Sequence, residues 1–219
     1  MSNKKVFIST IPFLSKLHPV VYMPVGNPKL ECNIETCFPI IPVINGYTNS
    51  GEKVRVIAIL TEGEMSNAKN TKHNFNAFFE PEINDIVFKK EIKLDNIELI
   101  YTPDSEDMDT QLKLFMDIAE SIDPGDEVYA CLTYGTKPMP IILTMALNYV
   151  YKLKKDVSVG CTVYGRVPHI EDAEGKPFIY DITPLFYMDS VVSKMAEVKA
   201  NDPAKAIRLM LGLDVVEDE

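Results

Sequence analysis

Apolar positions along this chain follow two periods that take turns. Residues 4–10 (KKVFIST), 53–60 (KVRVIAIL), 96–101, 128–132, 157–164 and 178–182 are short runs rich in Val, Ile and aromatic residues, the pattern of β-strands. The latter half of 53–60 is continuously apolar, as expected of a strand covered on both faces. Between the runs, apolar residues recur near helical spacing. This predicts helices over 34–47, where Pro39 and Pro42 sit awkwardly, and over 67–90, which Pro81 divides. A third helix is predicted over 105–122 with Leu112, Phe115, Ile118 and Ala119 on one face, and a fourth runs from Pro138 to about Leu153. A helix from Pro184 onward follows the last strand, and a final one to Leu211 starts with Asp202 as N-cap and Pro203 at its first position. The breakers Pro19, Pro24, Gly26 and Pro28 make residues 16–33 an irregular excursion. DPGD at 123–126 reads as a tight turn and residues 170–176 as an acidic one. Alternation of strands and helices predicts an α/β fold: a Rossmann-like, doubly wound, mostly parallel six-stranded sheet with C-terminal helices.

Ligands of such sheets bind beyond the carboxyl ends of the strands, at the crevice where strand order reverses. Two stretches meet this requirement. The first strand ends in Ser9-Thr10, and residues 127–140 (EVYACLTYGTKPMP) run from a strand through the polar turn Thr133, Tyr134, Gly135, Thr136 and Lys137 into a helix. Unpaired N–H groups at a helix start attract anions, and Lys137 adds a full charge there. With a Rossmann-like order the two stretches face each other across the crevice. Arg166, closing the strand over 157–164, is either a further phosphate ligand or a solvated arginine. Tyr134 and Tyr164 either stack on a base or cover the sheet.

Composition narrows the partners. The 219 residues carry a net charge of −10, which argues against a long nucleic acid duplex but leaves a small anion in a focused pocket. Cys32, Cys37, Cys131 and Cys161 contain no CxxC pair and read as buried thiols of a protein in the reducing cytoplasm. His18, His73 and His169 are scattered, so no metal site and no cofactor is assigned. The apolar run over 138–150 is interrupted and too short to span a bilayer, and the N-terminal residues do not form a signal peptide. GxGxxG, GxxxxGK[ST] and GxSxG are all absent, removing the usual support for dinucleotide, P-loop and α/β-hydrolase chemistry. The acids Asp104, Glu106, Asp107 and Asp109 at a helix start are most simply dipole-matching caps.

The pattern Cys131-Leu-Thr133-Tyr-Gly-Thr-Lys137, on a strand leaving for a helix, resembles the signature of CARF domains, the CRISPR-associated Rossmann fold. Thr133 and Lys137 match that signature, whereas Cys131 stands where it expects Asp or Asn. Residues 8–10, 159–166 and 180–186 extend the resemblance over most of the chain. The resemblance implies a homodimer that binds a cyclic oligoadenylate, tetra- or hexa-adenylate, across its twofold axis in type III CRISPR antiviral defence. Ser9, Thr10, Thr133, Tyr134, Gly135, Thr136, Lys137 and Arg166 would then contact the ligand. Residues 1–200 would form the CARF-like domain, and residues 201–219 a helix and acidic tail leading to an effector beyond this chain. Two functions follow. One is a sensor that controls the effector. The other is a metal-independent ring nuclease, with Lys137 and Ser9 acting on the phosphate and leaving 2′,3′-cyclic phosphate ends.

Overall fold

In the computed structural model, which describes residues 4–63, 66–166, 176–199 and 201–210, strand β1 (Lys5–Thr10) lies inside a mixed sheet of seven strands. The others are β2 (Met23–Val25), β3 (Lys53–Glu62), β4 (Lys93–Pro103), β5 (Glu127–Cys131), β6 (Ser158–Arg166) and β7 (Phe178–Asp181), in the order β2-β7-β6-β5-β1-β3-β4. All neighbours are parallel except β6 and β7. The sheet therefore has the expected doubly wound form, with one strand more than the sequence indicates. The extra strand, β2, escapes the pattern because its three residues, Met-Pro-Val, lie within the Pro- and Gly-rich excursion and are too few to set up an alternation.

From β1 the chain winds outward through α1 (Ile40–Tyr47) to β3, then through α2 (Ser66–Asn74), a wide turn at Phe75–Phe79 and α3 (Glu80–Lys90) to β4. It returns through α4 (Met108–Glu120) to β5 on the other side of β1, and continues through α5 (Met139–Leu153) to β6. The first group of helices covers one face, where α1 packs on α3. The second covers the other, where α4 packs on α5. The reversal of strand order thus falls between β1 and β5.

Phe7, Ala58, Tyr129, Cys131 and Val163 belong to a buried core with Ile40, Ile44, Ile83 and Ile86 of the first helix group. The alternating set Ile8, Ile57, Ile59 and Ala130 is equally buried and faces the second group. At the amino end of the sheet, Arg55 donates to Asp126 Oδ2 at 2.9 Å and to Ser121 O at 2.6 Å, anchoring the 123–126 turn, in which Gly125 has φ +85°.

Two helix starts and one helix face differ from the sequence reading. The helix expected over 34–47 starts only at Ile40: Thr36 pairs with Val20 in an isolated bridge, Pro39 caps the helix, and Pro42 falls in the first turn, where no N–H is needed. In α4 the inward residues are Leu114, Ile118 and Ala119, while Leu112 points to solvent. Pro138 precedes α5 as its cap rather than opening it. The acidic turn at 170–175 and the acidic chain end lie outside the described residues.

The chain divides into two compact units, Met1–Thr183 and Pro184–Glu219. The second holds α6 (Thr183–Glu197) from Pro184 onward and α7 (Pro203–Met210), where Lys205 N donates to Asp202 Oδ1 at 3.0 Å. Asp202 is thus the N-cap that the sequence pattern requires.

Candidate anion-binding site at the strand-order reversal

β5 ends at Cys131 and α5 begins at Met139, so the intervening residues must cross the top of the sheet beside the end of β1. Four hydrogen bonds and one ring contact fix their path. Cys131 Sγ donates to Thr133 Oγ1 at 3.1 Å, and Thr133 Oγ1 accepts from Gly165 N at 2.8 Å, tying the turn to the end of β6. Tyr134 turns its ring inward against Phe38, 6.3 Å between centroids, and its hydroxyl donates to Cys37 O at 2.6 Å. Met139 N donates to Thr136 O at 3.0 Å and closes the turn into the helix.

Gly135 has φ +105°, a conformation L side chains rarely adopt. A Cβ there would lie 2.8 Å from Met139 Cγ and 3.1 Å from Thr10 Cγ2, so the turn sits directly on the end of β1. The side chains of Thr133 and Tyr134 are thus engaged within the protein. The N–H groups of Tyr134, Gly135, Thr136 and Lys137 donate to no described residue, and the exposed Lys137 makes no ion pair or hydrogen bond with one. Thr10, 2% exposed, has a buried Oγ1 without a hydrogen-bond partner among the described residues. Backbone donors, an ammonium and a hydroxyl beside a helix start are the kinds of group that oxyanions bind.

The remaining candidates divide. Ser9 and Thr10, which the sequence reading points together beyond the sheet, are sent to opposite faces by strand alternation. Ser9 follows Phe7 into the α1 side, is fully buried, and donates to Thr10 O at 3.3 Å. Of the two stacking candidates, Tyr134 packs against the core, while Tyr164 is 44% exposed and lies 6.4 Å from Tyr180, ring to ring. Arg166 follows Gly165, which Thr133 holds, and is exposed at the end of β6.

Cys131 acquires a physical reason. It is fully buried, and burial pushes its thiol pKa up, so the neutral S–H remains available to donate to Thr133. A carboxylate there would need a compensating charge that the described surroundings lack.

Beside the turn, Thr136 borders a space of about 10 Å³, room for one water, together with hydroxyls that sequence reasoning does not single out, those of Thr61, Thr102, Ser105 and Thr110. The only signal of Thr61 and Thr102 is position near the ends of β3 and β4. Asp107 caps α4, accepting from Thr110 N at 2.9 Å, and hydrogen bonds from Ser105 and Thr110 hold its carboxyl down at about 2. No group of three or more His, Cys, Asp or Glu able to hold a metal occurs among the described residues.

The fold is that of a doubly wound, mostly parallel α/β protein, and the turn with these donors lies at its switch point. No family model matches the chain, and no curated protein matches it. Among solved structures, it is similar to Enterococcus italicus Csm6 bound to cyclic hexa-2′-fluoro-hexa-dAMP, at 14% identity and a TM-score of 0.46, over 99% of this chain and 52% of that one. The chain thus spans about half the length of the solved structure it matches.

Proposed function

We propose that this chain is a CARF-like sensor domain that binds a cyclic oligoadenylate between two copies of itself and regulates an effector in type III CRISPR antiviral defence. The observation that carries the reading is the turn at the strand-order reversal, where four N–H groups, Lys137 and the Thr10 hydroxyl have no partner among the described residues. A cyclic oligonucleotide presents several phosphates around a symmetric ring, and a twofold dimer doubles every donor of one cradle. In this reading Lys137, Gly135, Thr136 and the Tyr134 amide contact phosphate, Thr10 contacts a phosphate or 2′-hydroxyl, and Arg166 reaches the ring's edge. Ser9 and Thr133 hold the turn in place.

A second copy has a surface to dock on. Ile141, Met145, Tyr149 and Leu153 recur every fourth residue along α5 with exposures of 63%, 58%, 37% and 70%, and Met108, Leu112 and Met116 do the same on neighbouring α4. Phe115 and Tyr149 join the helices edge to face. An apolar stripe of this extent is what protein–protein contacts cover, and it starts at the end of α5 that carries the cradle.

The test is calorimetric titration of cyclic tetra- and hexa-adenylate into the parent and into Lys137→Ala. A charge-assisted hydrogen bond contributes about 1.5–3 kcal/mol, so losing two symmetric copies should weaken binding at least about a hundredfold. Failure of the parent to bind either ring would end the reading. A bound ring recovered unchanged after prolonged incubation supports the sensor, whereas linear products with 2′,3′-cyclic phosphate ends would assign the nuclease alternative instead.

A further inference from the structure

On the opposite side of β3 from Thr10, a second cavity opens between α2 and the carboxyl ends of β3 and β4. It measures about 380 Å³ and is lined by Lys69, Lys72, His73, Asn76 and Tyr101, with Thr61 and Glu62 at the strand end. Cavities of about 300–1,000 Å³ are the size that small ligands occupy. We infer that this pocket is a separate nucleotide site, which takes the phosphate of a nucleoside monophosphate on Lys69 and Lys72 and its base against Tyr101.

Three observations lead there. Lys69, Lys72 and His73 stand at i, i+3 and i+4, so they share one face of α2 in a chain whose net charge is −10. Like charges at that spacing destabilise a helix unless something compensates them. Neither lysine pairs with an acid among the described residues, and the sequence of α2 contains none. The helix dipole does not account for the cluster either. The chain passes without a break from Asn74 into the Phe75–Phe79 turn and on into α3, so α2 has no free carboxyl end to neutralise.

Tyr101 supplies the second half of the site. Strand alternation places it on the side of Ile97 and Leu99, which pack on the core, yet its ring is 40% exposed because it faces the cavity. An aromatic face beside two ammonium groups is how proteins hold a base together with its phosphate. His73 packs edge-on against Phe78 at 6.1 Å, which fixes its ring at the cavity wall, and the Asn76 amide can donate and accept at once. The Glu62 carboxylate opposes an anion, so the phosphate belongs at the lysine end. The inference does not depend on a cyclic ligand at the turn.

The experiment follows the His73 imidazole and Tyr101 ring signals of the whole chain by NMR while adenosine 5′-monophosphate, adenosine or inorganic phosphate is added. Adenosine monophosphate should give saturable shifts that weaken about tenfold or more in Lys69→Gln/Lys72→Gln. Tyr101→Leu should weaken the nucleotide but leave inorganic phosphate unchanged, and Lys137→Ala should change nothing. No saturation by about 10 mM nucleotide overturns the inference, as does saturation unaffected by the double substitution. Inorganic phosphate binding as tightly as the nucleotide overturns the role of Tyr101. Loss of the shifts in Lys137→Ala would assign them to the turn and overturn a separate site, leaving the sensor reading untouched.

Discussion

Replacing Gly135 by alanine tests whether the cradle depends on its backbone. Two costs add. At φ +105° an L residue occupies a sparsely populated conformation, which costs about 1–3 kcal/mol. The new Cβ would also lie 2.9 Å from Met139 Cβ and 3.1 Å from Thr10 Cγ2. Met139 can rotate its Cγ away, but its Cβ is fixed to the first residue of α5, so either the helix start or the turn must move; forced contacts of this kind cost about 1–3 kcal/mol more. The sum is about 2–6 kcal/mol, measurable as a lower urea midpoint at unchanged slope. Gly125→Ala is the matched control, since Gly125 also has positive φ, +85°, but nothing lies within 4 Å of its Cβ position. It should lose only the conformational part, and because it sits at the amino end of the sheet it should leave ligand affinity alone. If the turn shifts to relieve the added methyl group, the four N–H groups shift with it, and cyclic oligoadenylate binding falls even where stability partly recovers. A Gly135→Ala protein as stable as Gly125→Ala, with parental affinity, would refute the reasoning.

Other outcomes follow from single contacts. Arg55→Met leaves the buried Asp126 without its cation and should cost about 3 kcal/mol in urea unfolding, with ligand affinity unchanged; adding Asp126→Asn should recover part of the loss. Met145→Glu puts a charge into the α5 stripe and should convert a sedimenting dimer into a monomer with weakened ring binding; an unaltered dimer would move the interface elsewhere. Burial raises the Glu82 carboxyl above its ordinary 4.5, so in the window above that value the folded chain holds a proton the unfolded chain has released. Parental stability should therefore fall as pH rises through that window. Glu82→Gln should flatten the slope of urea midpoints between about pH 4.5 and 7, and an identical slope in the two proteins would exclude the group.

Much of the architecture is legible because its strands are long or strongly apolar. The runs at 53–60 and 157–164 fit no other element, and the reversal beside β1 follows from their alternation with helices. What escapes has identifiable causes. β2 is three residues long and owes its place to pairing with β7, a contact distant in sequence. Thr36 looks helical by local pattern, but its hydroxyl hydrogen-bonds Glu82 and its backbone pairs with Val20, two tertiary contacts that override the pattern. At the site, residue type and spacing single out Thr133, Gly135 and Lys137, and the turn lies where they predict. The side-chain directions are harder to read: that Ser9 and Thr10 diverge follows from strand alternation, while the inward turn of Tyr134 depends on a carbonyl from residue 37. Lys69, Lys72 and Tyr101 go unmarked because the lysines and the tyrosine are distant in sequence and converge only when α2 packs beside β3 and β4.

The inward turn of Tyr134 bears on how the proposed cradle would keep its shape. A phosphate cradle made of backbone amides has no side-chain chemistry of its own, so its geometry must be imposed from behind. Here the rear face of the turn is anchored to three separate elements. Tyr134 bonds the carbonyl of Cys37, whose own N–H donates to Glu82 of α3 at 3.2 Å; Thr133 bonds the end of β6; and Gly135 rests on Thr10 of β1. The Thr133 and Tyr134 side chains are engaged in these anchors, so in the proposed role the donors need not reorganise on binding. The Cys131 mismatch fits the same logic. A buried neutral thiol orients Thr133 without placing a negative charge behind the turn, so the residue that departs from the CARF signature is compatible with the proposed anion site.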